Sequence, residues 1–246
     1  MTSVPEHVSV VIPVCNEVDN VLPLSREIHA ALGFRGAPEI IFVDDGSTDG
    51  TAAAVHAART EIAGVRLLRH SRRSGQSAAV RNGVRVARNA WIATLDGDGQ
   101  NDPADFPAMI DALQQAVRAG RDVRLVMGNR VTRHDTWLRR LSSRVANGVR
   151  AALLADGTPD TGCGIKLMHR ETFLELPAFD HMHRFLPALF QRQGADVMSV
   201  PVNHRPRIRG TSKYGLHNRL WVGIVDLVGV MWLRARYRAG LGVTEE

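Results

Sequence analysis

Residues 91–103 read WIATLDGDGQNDP: an apolar run that stops at Asp96 and Asp98, with Gly97 between them and Gln100 just beyond. A short run of this composition, closed by acids and turn residues, reads as a buried strand. The pattern recurs upstream. Val8–Val14 (VSVVIPV) runs into Cys15, Asn16 and Glu17, and Glu39–Val43 (EIIFV) runs into Asp44, Asp45, Gly46 and Ser47. Further strands are expected at Val65–Arg69 and Leu125–Gly128. Helical patterns fall between them, at about 18–32, from a Ser47 or Thr48 cap to about 63, at about 77–89 and at about 103–119. Strands alternating with helices predict an α/β fold with a mostly parallel central sheet and helices on both faces. In such sheets ligands bind beyond the carboxyl ends of the strands.

The three acidic clusters follow three strands, so their carboxylates converge on one edge of the sheet. Each alone reads as a cap or turn. Together they crowd negative charge, which costs self-repulsion unless a cation joins them. Residues i and i+2 of an extended segment point the same way, so Asp96 and Asp98 can address one hard divalent ion, with Gly97 allowing a sharp bend. Mg²⁺ or Mn²⁺ held by one or two carboxylates takes its other ligands from substrate phosphates. The pair is read as holding a metal that holds a diphosphate.

Composition agrees with a soluble globular chain of ordinary make-up. The 246 residues are 44% hydrophobic and 23% charged, enough for one sizeable core. No signal-peptide pattern and no run long enough to span a bilayer is present, which makes a cytoplasmic location the expectation. Cys15 and Cys163 form no CxxC arrangement and are expected to be structural. The formal charge of +6 rests on arginine, since Lys166 and Lys213 are the only lysines. An arginine-rich surface suits planar pairing with phosphate or carboxylate. No GxGxxG follows the first strand and no GxxxxGK[ST] occurs, which excludes a dinucleotide fingerprint and a P-loop. HExxH is absent, and His181 and His183 in DHMHRF read as surface or cleft residues rather than zinc ligands.

Six motifs in order, VSVVIPVCNE, IIFVDDGSTDGT, GQSAAVRNG, TLDGDGQNDP, DTGCGIKLMHRE and RIRGTSKY, resemble the series of glycosyltransferase family two. Within it they are most similar to the polyprenyl-phosphate glycosyltransferases of the dolichyl-phosphate mannose synthase type, over roughly residues 8–233. The resemblance implies the GT-A-like nucleotide-diphospho-sugar transferase fold and a UDP- or GDP-sugar donor. It implies that Pro13, Glu17 and Asp45, with Asp44 beside it, hold the nucleoside, and that Asp96, Asp98 and Gln100 form the metal and diphosphate site. Gly128-Asn129-Arg130 would face the acceptor phosphate, with Arg139, Arg140, Ser143 and Arg144 nearby. Arg205, Arg207, Ser212 and Lys213 would lie on a basic loop that closes over the donor diphosphate.

The expected reaction is an inverting transfer of a sugar to a polyprenyl phosphate. A metal and cationic side chains would stabilise the departing diphosphate. A phosphate monoester nucleophile is largely dianionic at neutral pH, its second pKa being about 6, so no strong base is required. Asp160 could orient the acceptor or sugar, or act as a base if the acceptor is a carbohydrate hydroxyl instead. A non-catalytic basic binding protein is the third reading; the acidic edge would repel nucleic acid from the pocket.

Domain organisation is read as a catalytic domain over 1–214 and a C-terminal helical segment over 215–246. Trp221–Leu233 is too short to cross about 30 Å of hydrocarbon and carries Asp226 at its middle. It is expected either to pack on the domain or to lie in a membrane interface, with tryptophans at headgroup depth and Arg234, Arg236 and Arg238 toward anionic lipid. The expected setting is peripheral, at the inner face of the cytoplasmic membrane, by this segment or through a small membrane-protein partner.

Overall fold

The computed structural model describes residues 5–130, 148, 153–154, 156–206 and 219–237. Among them are seven strands: β1 (Val8–Val14), β2 (Glu39–Asp44), β3 (Val65–Arg69), β4 (Trp91–Thr94), β5 (Val123–Arg130), β6 (Lys166–His169) and β7 (Asp196–Val202). They form one sheet in the order β3-β2-β1-β4-β6-β5-β7. β6 alone runs against its neighbours, β4 and β5; the remaining pairings are parallel. The helices are α1 (Val18–Leu32), α2 (Thr51–Glu61), α3 (Gln76–Val86), α4 (Phe106–Arg118), α5 (Arg170–Leu174), α6 (Leu186–Arg192) and α7 (Arg219–Arg236).

Alternation along the strands builds two apolar layers. Val10, Ile12, Ile40 and Phe42 pack with Ile28 of α1 and Met109 and Leu113 of α4. Val11, Ile41 and Val43 point the other way, against Val80 and Val84 of α3, Phe173 of α5 and Phe190 of α6. Successive side chains of a strand face opposite sides, so a sheet covered on both faces needs an unbroken apolar run. That is why β1 and β2 read so clearly from sequence.

Two helix starts differ from expectation. α2 begins at Thr51, not at Ser47 or Thr48, because the polar groups of that stretch are used within the preceding loop. Asp44 Oδ1 accepts from the Ser47 amide, Ser47 Oγ from the Asn16 amide and Asn16 Oδ1 from the Thr48 amide. α4 is preceded by a single 3₁₀ turn over Pro103–Asp105, capped by Asp102, whose Oδ1 accepts from the Ala104 amide at 2.9 Å.

The topology fixes where polar side chains meet. β1, β2 and β4 are parallel and nearly level, with Val14 beside Asp44 and Val11 beside Thr94, so their carboxyl ends share one edge. β6 is antiparallel and pairs Lys166 with Thr94, which brings its beginning, rather than its end, to that same edge. Arg130, ending β5, arrives there too, since Met127 pairs with Lys166.

Candidate active site

At this edge β4 continues as Leu95 into Asp96. The Asp96 amide donates to Asn101 Oδ1 at 3.0 Å, and Asp96 Oδ1 accepts from Gln76 Nε2 at 2.8 Å. Asp98 Oδ1 accepts from the Gln100 amide at 3.1 Å, which folds the 98–100 stretch back on itself. Gly97 is required for a reason other than the expected bend. A Cβ there would stand 2.6 Å from Val14 Cγ1 and 3.0 Å from the Pro13 carbonyl, so glycine lets the Asp96–Asp98 segment pass close over β1. The left-handed turn falls at Gly99, with φ +74°.

Burial, and then the charge of Asp98, raise the Asp96 pKa above the ordinary carboxylate value, against the opposing pull of Lys166, Gln76 and Arg130. Two crowded acids whose ionised forms oppose each other fit a hard divalent cation, which would reverse that penalty. No group of three or more His, Cys, Asp or Glu among the described residues could hold an ion alone. One or two carboxylates, as at Asp96 and Asp98, suit an ion that completes its shell from a phosphate ligand. Gly164 shapes the same place: a Cβ there would strike Asp96 and come within 2.6 Å of Asn101 Oδ1.

The aspartates expected at the nucleoside divide their work. Asp45 holds the β3–α3 loop: Oδ1 accepts from the Ser74 amide at 2.7 Å and contacts His70 Nδ1 at 2.8 Å, while Oδ2 accepts from the Gly75 amide at 2.8 Å. Burial alone would raise its pKa, but these bonds hold it below the usual carboxylate value. Asp44 is fully buried, and its Oδ2 has no hydrogen-bond partner, only Arg69 Nε at 3.5 Å. Asp44 thus lies closed off from the surface, with Arg69 as its ion-pair neighbour. Glu17 precedes α1 and accepts from Asn20 Nδ2 at 2.7 Å, and Pro13 lies on β1 beside the Asp96 segment.

Arg130 and Asp160 pair in parallel, Nε to Oδ2 at 2.7 Å and Nη2 to Oδ1 at 2.9 Å. Burial works against the guanidinium charge, yet the bonds and charge of Asp160 raise the Arg130 pKa. Arg205 is committed as well, to Glu27 Oε2 at 2.8 Å and Asp102 Oδ1 at 2.6 Å, so it anchors the start of the basic loop. Arg139, Arg140, Ser143, Arg144, Arg207, Ser212 and Lys213 lie outside the described residues.

Beside Asp96 opens a cleft of about 470 Å³, lined by Arg73, Gln76, Lys166, His181, His183 and Arg184 among others. None of these was singled out from sequence as a site residue, although Gln76 and Lys166 sit inside quoted motifs. Lys166 is 5% exposed; its Nζ donates to the Cys163 carbonyl, and burial lowers its pKa against the pull of Asp96. Cys163 is wholly buried, which pushes its thiol pKa up and accords with a structural role. His183 contacts Ser77 Oγ at 2.8 Å, and burial, with Lys166 and Arg184 nearby, lowers its pKa to about 3.

The family description "Glycosyl transferase family 2" matches residues 9–176. Dodecaprenyl-phosphate galacturonate synthase of Rhizobium johnstonii is 35% identical over 240 residues, covering 95% of this chain and 69% of the relative. Undecaprenyl-phosphate 4-deoxy-4-formamido-L-arabinose transferase of Edwardsiella ictaluri is 35% identical over 216 residues, 86% of this chain and 64% of that protein. The chain thus spans about two thirds of the length of these relatives. Glucosyl-3-phosphoglycerate synthase of Mycobacterium tuberculosis, solved with Mn²⁺, UDP and glucosyl-3-phosphoglycerate, superposes with TM-score 0.69 at 21% identity, over 97% of this chain and 84% of that one. At that identity the likeness concerns the fold, which is of the GT-A kind. With more than half of its length matched by the family, the chain belongs to glycosyl transferase family 2.

Proposed function

We propose that the chain transfers a sugar from a nucleoside diphosphate to a polyprenyl phosphate in a single displacement that inverts the anomeric centre. The observation that carries this reading is the Arg130–Asp160 pair. Asp160, the carboxylate best placed by sequence to serve as a base, has both oxygens on one guanidinium. A hydroxyl acceptor would need a free base there. A phosphate monoester needs none, because it is already largely dianionic above its second pKa of about 6. The names of the curated relatives, both polyprenyl-phosphate enzymes, support the same acceptor.

The residues then take these roles. Pro13, Glu17 and Asp45, with Asp44 beside it, form the nucleoside site, and Asp45 shapes the loop there by holding the Ser74 and Gly75 amides. Asp96, Asp98 and Gln100 would hold Mg²⁺ or Mn²⁺, which when bound stabilises the charge of the departing diphosphate. Gln76 and Asn101 fix Asp96 by hydrogen bonds. Arg130, oriented by Asp160, presents charge toward the incoming phosphate, and Arg139, Arg140, Ser143 and Arg144 are the further acceptor candidates. Arg207, Ser212 and Lys213 would cover the donor diphosphate.

A lipid acceptor places the site at a membrane surface. No helix among the described residues is long and apolar enough to cross a membrane. α7 has one face on the domain, through buried Val230 and half-buried Leu227 and Leu233, and one outside, with Ile224, Val225, Val228, Met231 and Trp232 exposed. The outer stripe with Arg234 and Arg236 at the end of α7 suits the headgroup region of an anionic inner leaflet. A small membrane protein is the other anchor the same face could take.

The test is incubation of the full chain with Mn²⁺, undecaprenyl phosphate and radiolabelled UDP- and GDP-sugars. Label should enter the organic phase as a product cleaved by mild acid. Label transferred only to water-soluble hydroxyl acceptors would overturn the reading in favour of a carbohydrate acceptor.

A further inference from the structure

We infer that the turn Asp180–Arg184 is the sugar-selecting wall of the donor cleft, and that with Lys166 and Arg73 it selects a donor sugar bearing a carboxylate. The inference rests on the proposed function and names the substrate class of the same site. A diphosphate held at Asp96 and Asp98 leaves the sugar as the part of the donor that extends past Asp96. The space it enters is the cleft floored by Gly164 and Lys166 and walled by Arg73, His181, His183 and Arg184.

The wall is fixed in advance. His181 has φ 60°, a left-handed conformation uncommon for a residue with a side chain. It is held from both sides. Its own amide donates to Asp180 Oδ1 at 2.8 Å, and its Nδ1 meets Asp226 Oδ2 of α7 at 3.2 Å. Two residues on, His183 is joined to Ser77 Oγ and its amide donates to the same oxygen at 3.4 Å. Asp180 in turn lies against Gly75, whose Cβ would stand 3.2 Å from Asp180 Oδ1. The turn is thereby tied to α3, to the loop before it and to α7.

Charge in the cleft is unequal. Of its acids, Asp96 is the proposed metal ligand and Asp180 is engaged by His181. Of its cations, Arg73 and Arg184 make no ion pair among the described residues. Lys166, more than nine-tenths buried, spends one donor on the Cys163 carbonyl. Three cationic groups therefore remain to meet the sugar, where a neutral hexose offers only hydroxyls. A carboxylate on the ring would give each a charge-assisted bond. An uncharged sugar would offer these cations only hydroxyl partners, whose bonds are weaker.

The experiment is calorimetric titration of the full chain with Mn²⁺ present and no lipid. Each uronate donor is compared with its parent hexose: UDP-glucuronate with UDP-glucose, UDP-galacturonate with UDP-galactose, and GDP-mannuronate with GDP-mannose, with UDP and GDP as references. At least one uronate should bind about ten-fold or more tighter than its hexose, the ratio expected of one charge-assisted hydrogen bond. Arg184→Ala should bring that ratio near one while the bare nucleoside diphosphate binds as before. Equal or tighter binding of every hexose overturns the inference, as does loss of UDP or GDP affinity in Arg184→Ala to the same extent, since the arginine would then serve the diphosphate. Uronate preference without transfer to undecaprenyl phosphate would instead count against the proposed acceptor and leave the sugar assignment standing.

Discussion

Arg130 and Asp160 are joined by two parallel hydrogen bonds of 2.7 and 2.9 Å, with the Asp160 side chain 2% exposed. The pair couples β5 to the loop that leads into β6; in the proposed reaction it holds a charge toward the acceptor phosphate and Asp160 orients Arg130 rather than serving as a base. Asp160→Ala should cost about 3–5 kcal/mol of stability, the usual penalty for stranding a buried partner, measurable by urea unfolding. Asp160→Asn keeps the shape and should raise KM for the lipid phosphate. Its pH profile should keep the acid limb of the parent enzyme, since that limb belongs to the acceptor. Disappearance of the limb in Asp160→Asn would make Asp160 the base.

The floor of the site makes a prediction that can be read without turnover. Asp96→Asn and Asp98→Asn should each lower activity by orders of magnitude while the fold persists, and excess EDTA should abolish it in the parent. Mn²⁺ with UDP should raise the melting temperature of the parent but not of Asp96→Asn, because a bound ligand stabilises by mass action. Gly164→Ala should imitate the aspartate changes, since its methyl group would displace Asp96 and press on Asn101 Oδ1. Equal Mn²⁺-dependent stabilisation of parent and Asp96→Asn would remove Asp96 from the metal site.

His183 supplies a pH dependence of stability. Its folded pKa of about 3 lies below its ordinary 6.5, so between those values the unfolded chain binds more protons than the folded one. The contribution is complete above pH 6.5 and is lost as pH falls toward 3, with a slope of at most about 1.4 kcal/mol per pH unit for one proton. His183→Gln should flatten that part of the stability curve in denaturant titrations across the range. An unchanged slope would show that His183 is free to protonate in the folded state.

Much of this was legible in the sequence, for identifiable reasons. β1 and β2 are buried on both faces, so their apolar runs are continuous and their bounds nearly read themselves. β6 has four residues, and β7 is a half-exposed edge strand containing Pro201; neither pattern announces a strand. The acids at the strand ends were visible because each follows its strand directly. Lys166 was not read as part of the site because an antiparallel strand brings it there beginning first, and His183 because its partner Ser77 is 106 residues away in the chain. Gly97 and the Asp44–Asp45 pair show the limit within a correct motif. Residue type marked both as special, but whether a glycine serves a bend or a close crossing, and which aspartate is already saturated, depends on atoms from other strands.

α7 carries the remaining prediction. Val225 and Val228 are 69% and 60% exposed on its outer face, and Trp232 is 60% exposed one turn further on, while Asp226 turns inward to His181. An apolar stripe ending in Arg234 and Arg236 should bind vesicles reversibly, each arginine near an anionic leaflet adding about 1 kcal/mol. The full chain should float with phosphatidylglycerol-containing liposomes and much less with neutral ones, and high salt should weaken the association. Val225→Glu with Val228→Glu should abolish flotation without lowering the melting temperature, since neither side chain contributes to the core. Activity toward short, water-soluble prenyl phosphates should survive in that variant, while activity toward undecaprenyl phosphate in liposomes should fall at least ten-fold. Flotation of the double variant equal to that of the parent would exclude α7 as the contact. Flotation of neither would leave a membrane-protein partner as the route by which the enzyme meets its lipid.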